Sequence, residues 1–419
     1  MAAGCVNEYS AGIRMSRLSK LYLMMSFWIV MLTPLFPNVM GTSQVHVNLL
    51  LITLAAGALA FLSTFRYSYS FLVIFVYYSL LQLLLILGML FSDAEFSISE
   101  VPSIFRPLMS MFIVFCVGLL VRASEFSERE LYRVLILFLI VSVGYLFVEI
   151  FFYNEFSFIV FDLYKREYRE SLLNSFTSFY GTTYYSGFIY YSVFALLAPF
   201  VLSRNYSFAI FFAVLTIVLT FVAQSKLMVV TLLFHMCLFF SVMIPIAWRL
   251  FLIPAIVGSF LWVYFSGALS DILVEIPLSS ASSLNRLLYS PETSGTLNIR
   301  VEQIVNVFNE LSFLGIGTGQ GVALESWLSS YLYRYGLLGV VAFLVFNLFL
   351  ANRAYVVSRK EREISYLKSN FMFSLSIWFL LIPFSQLSSV MIDGSKFIFV
   401  YCIFIALVLY PGTVRFSKG

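Results

Sequence analysis

Apolar residues run in long blocks for nearly the whole chain, broken by short polar or charged intervals. The blocks lack the every-other alternation of half-buried strands, and most exceed the length of a core helix in a soluble domain. At about 17–25 residues each they match the hydrocarbon thickness of a bilayer. This reading predicts twelve helices, at 20–37, 47–65, 70–91, 107–121, 132–152, 186–203, 206–223, 227–247, 250–267, 328–351, 370–391 and 397–411. The expected fold class is an all-α polytopic membrane protein, a single integral membrane domain over 1–419. The first block is too long for a cleaved signal peptide and lacks a small-residue cleavage site, so it reads as a signal anchor. Met15 is an alternative start. No repeat of fixed period is present.

Composition sharpens that picture. The chain has 419 residues, 61% hydrophobic and only 11% charged, with a mean hydropathy of +0.95. A soluble domain carries about 25% charged residues, so a soluble, disordered or disulfide-stapled protein is excluded. Cys5, Cys116, Cys237 and Cys402 have no framework spacing. With the N-terminus in the cytoplasm, the twelve spans leave sixteen Lys and Arg inside and nine outside, which predicts both termini cytoplasmic. Six acids fall inside and fifteen outside, counting Glu149, so the outer face is net acidic yet holds nine cations that topology does not require. Inner loops are short. The basic stretch from Arg353 to Lys368 is most simply an anchor on the anionic leaflet. Two long outer loops, 153–185 and 268–327, are where work is expected, because long loops on one side of a compact protein usually carry it. No P-loop or nucleotide-binding module is present, and nothing points to nucleic acid.

The second long loop holds the densest chemistry. Ser294-Gly295-Thr296-Leu297-Asn298-Ile299-Arg300 leads into Val301, Ile304, Val305, Phe308 and Leu311, an apolar stripe of an amphipathic helix expected to lie on the membrane surface or to roof a cavity. Leu314-Gly315-Ile316-Gly317-Thr318-Gly319-Gln320-Gly321 follows. Its alternate glycines let backbone approach a ligand or another helix closely. The spacing is not that of a dinucleotide fingerprint. Glu325-Ser326-Trp327 then opens the tenth block, which contains Arg334-Tyr335-Gly336-Leu337-Leu338-Gly339.

This order resembles the conserved region of the O-antigen polymerase and O-antigen ligase superfamily of bacterial inner membranes. The shared order is an Arg, an amphipathic stretch, a glycine turn, a polar pair, then a helix with Gly-x-x-Gly. The detailed match covers about 45 residues, 294–339. Gln224-Ser225-Lys226 and Tyr180-Gly181-Thr182-Thr183 are weaker echoes of family positions. Two departures stand out. Glu325 occupies a position where ligases have His, and Lys226 stands for Arg, which favours polymerase over ligase. The resemblance implies a GT-C-like enzyme with large periplasmic loops and no cofactor. Its substrate would be an undecaprenyl-pyrophosphate-linked oligosaccharide, its other partners membrane lipids, a chain-length regulator and a flippase.

It also implies roles. A pyrophosphate leaving group needs cations, and the planar fork of Arg grips phosphate oxygens with two bonds. Arg300 is the first choice, with Arg169, Arg166, Lys226 and Arg334 as further substrate-binding cations and Gly315 and Gly317 as the close-approach turn. The attacking hydroxyl needs a carboxylate, for which Glu325 is preferred over Glu170 and Asp162. Each has a plainer reading. Arg300 can snorkel, Glu325 can favour a helix N-terminus, Lys226 can anchor at the interface, and Arg334 can pair with Glu149. Lys165 to Glu170 reads as a solvated helical face.

Asp93-Ala94-Glu95 is too short a pattern to argue for a metal. His235 lies mid-span and reads as a hydrogen-bonded core residue, far in sequence from His46. Most of the 26 tyrosines read as interface belts. Two alternatives remain open: an O-antigen ligase, or a flippase or secondary transporter, although a transporter is expected to carry an internal repeat.

Overall fold

A computed structural model describes residues 17–31, 69–91, 104–124, 126–151, 183–203, 205–206, 208–223, 225–241, 295–311, 315–319, 324, 326–387 and 395–416. Residues 17–31 are helical (α1). Next come α2 (Tyr69–Phe91), α3 (Arg106–Ser124), α4 (Glu128–Phe151), α5 (Thr183–Val201), α6 (Ala209–Val222) and α7 (Lys226–Ser241). They are followed by α8 (Gly295–Glu310), α9 (Trp327–Glu361), α10 (Tyr366–Ser385) and α11 (Ser395–Leu409). Five helices, α2, α3, α4, α9 and α10, are long and apolar enough to cross a membrane, and α5, α6, α7 and α11 are shorter apolar helices. The described part is a helical bundle of membrane-protein character. The expected blocks at 47–65 and 250–267 lie outside the described residues, as do both ends of the chain and most of the two long loops.

The helices form because each closes its own backbone hydrogen bonds inside an apolar block, which a lipid environment demands. α4 starts on a capping box. The Ser127 hydroxyl accepts from the Glu130 amide at 3.2 Å, and the Ser127 amide donates to the Glu130 carboxylate at 2.8 Å. The same carboxylate pairs with Lys20 of α1 at 2.9 Å. Two residues of the preceding turn, Phe126–Ser127 (β1), pair in parallel with Val414–Arg415 (β2), tying the α3–α4 junction to the chain beyond α11. At the opposite end of the bundle, the Trp327 amide donates to the Gln386 carbonyl at 3.4 Å and so joins the start of α9 to the end of α10.

α9 is the spine, packed against α10, α2, α8 and α11. It runs ten residues past the expected end of its block and turns into α10 after only four residues. Asn352 and Arg353 end the apolar window, whereas good helix formers carry the helix on through Arg359 and Lys360 in its last turn. Between α5, α7 and α10 sits a buried polar group. His235 Nε2 lies 3.0 Å from Ser374 Oγ, and His235 Nδ1 lies 3.2 Å from the Tyr191 hydroxyl. The Ser374 hydroxyl donates to the Ala195 carbonyl, so its oxygen is left to accept from Nε2–H, and Nδ1 accepts from Tyr191. The imidazole is a satisfied core residue that joins three helices.

Candidate functional site

The site is assembled on the first limb of α9. Ser326 caps the helix, its hydroxyl accepting from the Leu328 amide at 3.2 Å. Ser326, Ser330 and Arg334 follow at i, i+4 and i+8, so they share one helix face, and all three are buried. Arg334 is 1% exposed, with its guanidinium 5.7 Å from the centroid of the Tyr335 ring. Three polar atoms around this face, Trp327 Nε1, Ser330 Oγ and Gln386 Oε1, are buried with no hydrogen-bond partner among the described residues. A native interior holds few such atoms, and each calls for a water or a ligand.

Two residues after Arg334, α9 breaks. Gly336 has φ +72° and ψ −168°, a backbone state that side-chain-bearing residues avoid. The expected glycine turn closes the gap. The Thr318 amide donates to the Tyr333 carbonyl at 2.7 Å, the Gly319 amide to the Arg334 carbonyl at 3.2 Å, and the Leu337 amide to the Gly315 carbonyl at 3.0 Å. These groups are the ones a break would leave unpaired, so the turn acts as a splint across it. A Cβ at Gly317 would come within 2.6 Å of the Gly336 nitrogen, and one on Gly88 of α2 within 2.5 Å of the Gly317 carbonyl. Of the two uses the glycine spacing left open, the close approach of Gly315 and Gly317 is to α9 and α2.

Arg300 lies on α8, which packs against α9. Val301, Val305 and Phe308 are each more than half exposed and turn away from the bundle. Val307 is buried, and Arg300 and Gln303, which share its face, are half-buried. The helix therefore directs Arg300 toward the protein and Val301, Val305 and Phe308 outward, while Leu311 at its end packs on the core.

A second feature borders this limb. A cleft of about 420 Å³ opens between α2, α3, α9 and α11, lined by Tyr77, Tyr78, Tyr331, Tyr335 and Tyr401, with Arg106 beside them. The tyrosines are between 4% and 7% exposed, so these five are interior residues and not part of an interface belt. They turn inward because their rings pack on one another and on neighbours. Tyr77 stacks on Phe346 at 4.0 Å, and the Tyr401 hydroxyl donates to Asn347 at 3.0 Å. Arg106 was counted among the outer cations and given no part in a site. The signal available was its place beside Pro107 at the start of an apolar block.

Glu325, Arg166, Arg169, Glu170 and Asp162 lie outside the described residues, as does the Lys226 side chain, although Lys226 opens α7. Arg300, Arg334, Gly315 and Gly317 are thus the site residues that the structure describes, and they fall on α8, α9 and the turn between them. The side chain of Glu149, the expected partner of Arg334, is likewise outside. Comparison with known proteins finds no matching family model and no similar curated protein.

Proposed function

We propose that the chain is an O-antigen polymerase, a glycosyltransferase of the bacterial inner membrane. It would join undecaprenyl-pyrophosphate-linked repeat units at the periplasmic face. The observation that carries this reading is the buried polar face of α9, Ser326, Ser330 and Arg334, with three unsatisfied polar atoms around it. A buried cation inside a membrane bundle is expensive and is kept where it meets an anion. Hydroxyl, amide and indole groups that seek partners suit a polyol.

In the proposed reaction the acceptor hydroxyl oxygen forms a bond to the anomeric carbon of the donor. The bond from that carbon to the phosphate oxygen breaks, and the polyprenyl diphosphate departs with the electron pair. Arg300 and Arg334 hold the charge that develops on the diphosphate. The hydroxyl proton passes to Glu325, which immediately precedes the helix cap. Arg166, Arg169 and Lys226 are the further cations of this reading. The test is alanine substitution of Arg300, Arg334 and Glu325 in the host. Lipopolysaccharide capped with single repeat units is the expected result, whereas a core bearing no repeat points to a ligase.

A second reading, a carrier or flippase, draws on the break at Gly336, because interrupted helices are a feature of transporters. The splint weakens it. Carbonyls that a transported ion or glycan would use are already taken by Thr318 and Gly319. Repeat units stranded on the cytoplasmic face in an Arg334→Ala strain would favour this reading over the first.

A further inference from the structure

A second cavity lies away from the polar limb of α9. It is a partly open slot bordered by α1, α4, α5 and α11 and by the β1–β2 pair. Leu23, Phe27, Leu135, Val193, Leu196 and Phe404 are representative of its walls. Among the described residues Ser192 is the one polar lining residue, and its hydroxyl is committed, donating to the Phe188 carbonyl and accepting from Trp378 Nε1. The walls run from Leu23 to Met31 on α1 and from Val400 to Leu407 on α11. That is roughly 10–12 Å along the helix axes, or about eight methylenes of an extended chain. A slot of this shape offers water nothing to bond and fits an unbranched hydrocarbon.

Phe126 and Val414 border the slot at the end where the paired strands lie. The sequence places Glu125 between α3 and β1; among the described residues, the elements around that end carry Arg17, Lys20, Arg122, Arg129, Arg133 and Arg415 against two acids, Glu128 and Glu130. Both acids are engaged within the protein. Glu130 pairs with Lys20, and Glu128 hydrogen-bonds Tyr206. Lys20 also sits 5.5 Å from the centroid of the Phe126 ring, which places a cation beside the slot wall. Apolar walls along the helices and excess positive charge at one end are the two halves of a phospholipid, and the charge selects an anionic headgroup.

We propose that the slot seats one acyl chain of an anionic phospholipid whose phosphate rests among the cations at the β1–β2 end. The bound lipid fills the space between α1 and the rest of the bundle and holds α1 in place. The assignment is independent of the reaction proposed above, since the slot touches none of the residues placed in it.

The test uses the full-length protein in detergent with phosphatidylglycerol or phosphatidylethanolamine of identical chains, read by native mass spectrometry. One phosphatidylglycerol should survive activation that strips other lipids, and phosphatidylethanolamine should not. Val193→Phe and Leu196→Phe each fill the slot and should lower retention about 15- to 60-fold, as the loss of two to three buried methylenes implies. Arg133→Ala should keep a lipid but narrow the preference for phosphatidylglycerol. Equal retention of both lipids by the unaltered chain, or undiminished retention in both filled variants, overturns the proposal. A second measurement covers failure of those variants to fold. Trp378 is fully buried and stacks on the slot residue Phe404 at 3.9 Å, so lipid around the protein does not touch it. Phosphatidylglycerol brominated along its chains should quench the fluorescence that Trp378→Phe removes; an unquenched Trp378 component also overturns the assignment.

Discussion

The carbonyl of Tyr333 accepts two hydrogen bonds from Thr318, one from its amide at 2.7 Å and one from its hydroxyl at 3.0 Å. In an unbroken helix that carbonyl would serve Leu337, whose amide instead reaches Gly315. Turn and break are therefore one unit. Gly336→Ala must force a Cβ into a left-handed backbone and against the Gly315 carbonyl. It should cost about 2–4 kcal/mol. Thr318→Val removes only the hydroxyl bond and should cost about 1 kcal/mol. Thermal unfolding of the detergent-purified protein measures both; an unchanged midpoint for Gly336→Ala would refute the splint.

For the arginines, charge and geometry separate. Arg300→Lys keeps the charge but loses the two-pronged grip, so it should lose most polymer, read as the length of the polysaccharide ladder at matched protein levels. Full-length polymer from that variant would show that charge alone suffices. Arg334 is almost wholly buried, and Arg334→Ala should lower both activity and the amount of folded protein in the membrane.

The His235 group makes a prediction about coupling. Tyr191→Phe removes the donor to Nδ1 and should cost about 1–2 kcal/mol. His235→Leu should cost more, since it strands Tyr191 and alters the Ser374 site. Combined, the two should fall short of additivity by about 0.5–1.5 kcal/mol. Strict additivity in a double-mutant cycle would mean that the bond between them contributes nothing.

Glu130 serves two structures and Lys20 one. Glu130→Ala loses the cap of α4 as well as the ion pair, for about 1–2 kcal/mol. Lys20→Ala loses a partly exposed pair, with side chains 25% and 44% accessible, and a contact with the Phe126 ring, and should cost under about 1 kcal/mol. Equal losses on unfolding would show that the cap carries no weight.

Much of this was legible in advance, and unevenly. The helix at 295–310 was readable from its stripe, because period and length are local properties. Ser127-Glu128-Arg129-Glu130 is a capping signature that sequence reading could have used to start α4 four residues earlier. Hydropathy underestimated α9, since charged side chains end an apolar window without ending a helix. Which tyrosines leave the interface belts was not legible, for a different cause. A Tyr-Tyr pair at an interface and one facing a cleft look alike until the ring on the other side, here Phe346, is known.

Membrane-spanning character thus followed from the sequence alone, because an apolar block of helical length satisfies its own backbone wherever it sits. Direction did not. That Arg300 faces inward, that Gly317 lies against Gly336 and Gly88, and that His235 meets Tyr191 and Ser374 were decided by helices dozens to hundreds of residues apart coming together. The side of a helix that becomes interior is a property of its neighbours, and no window of sequence contains them.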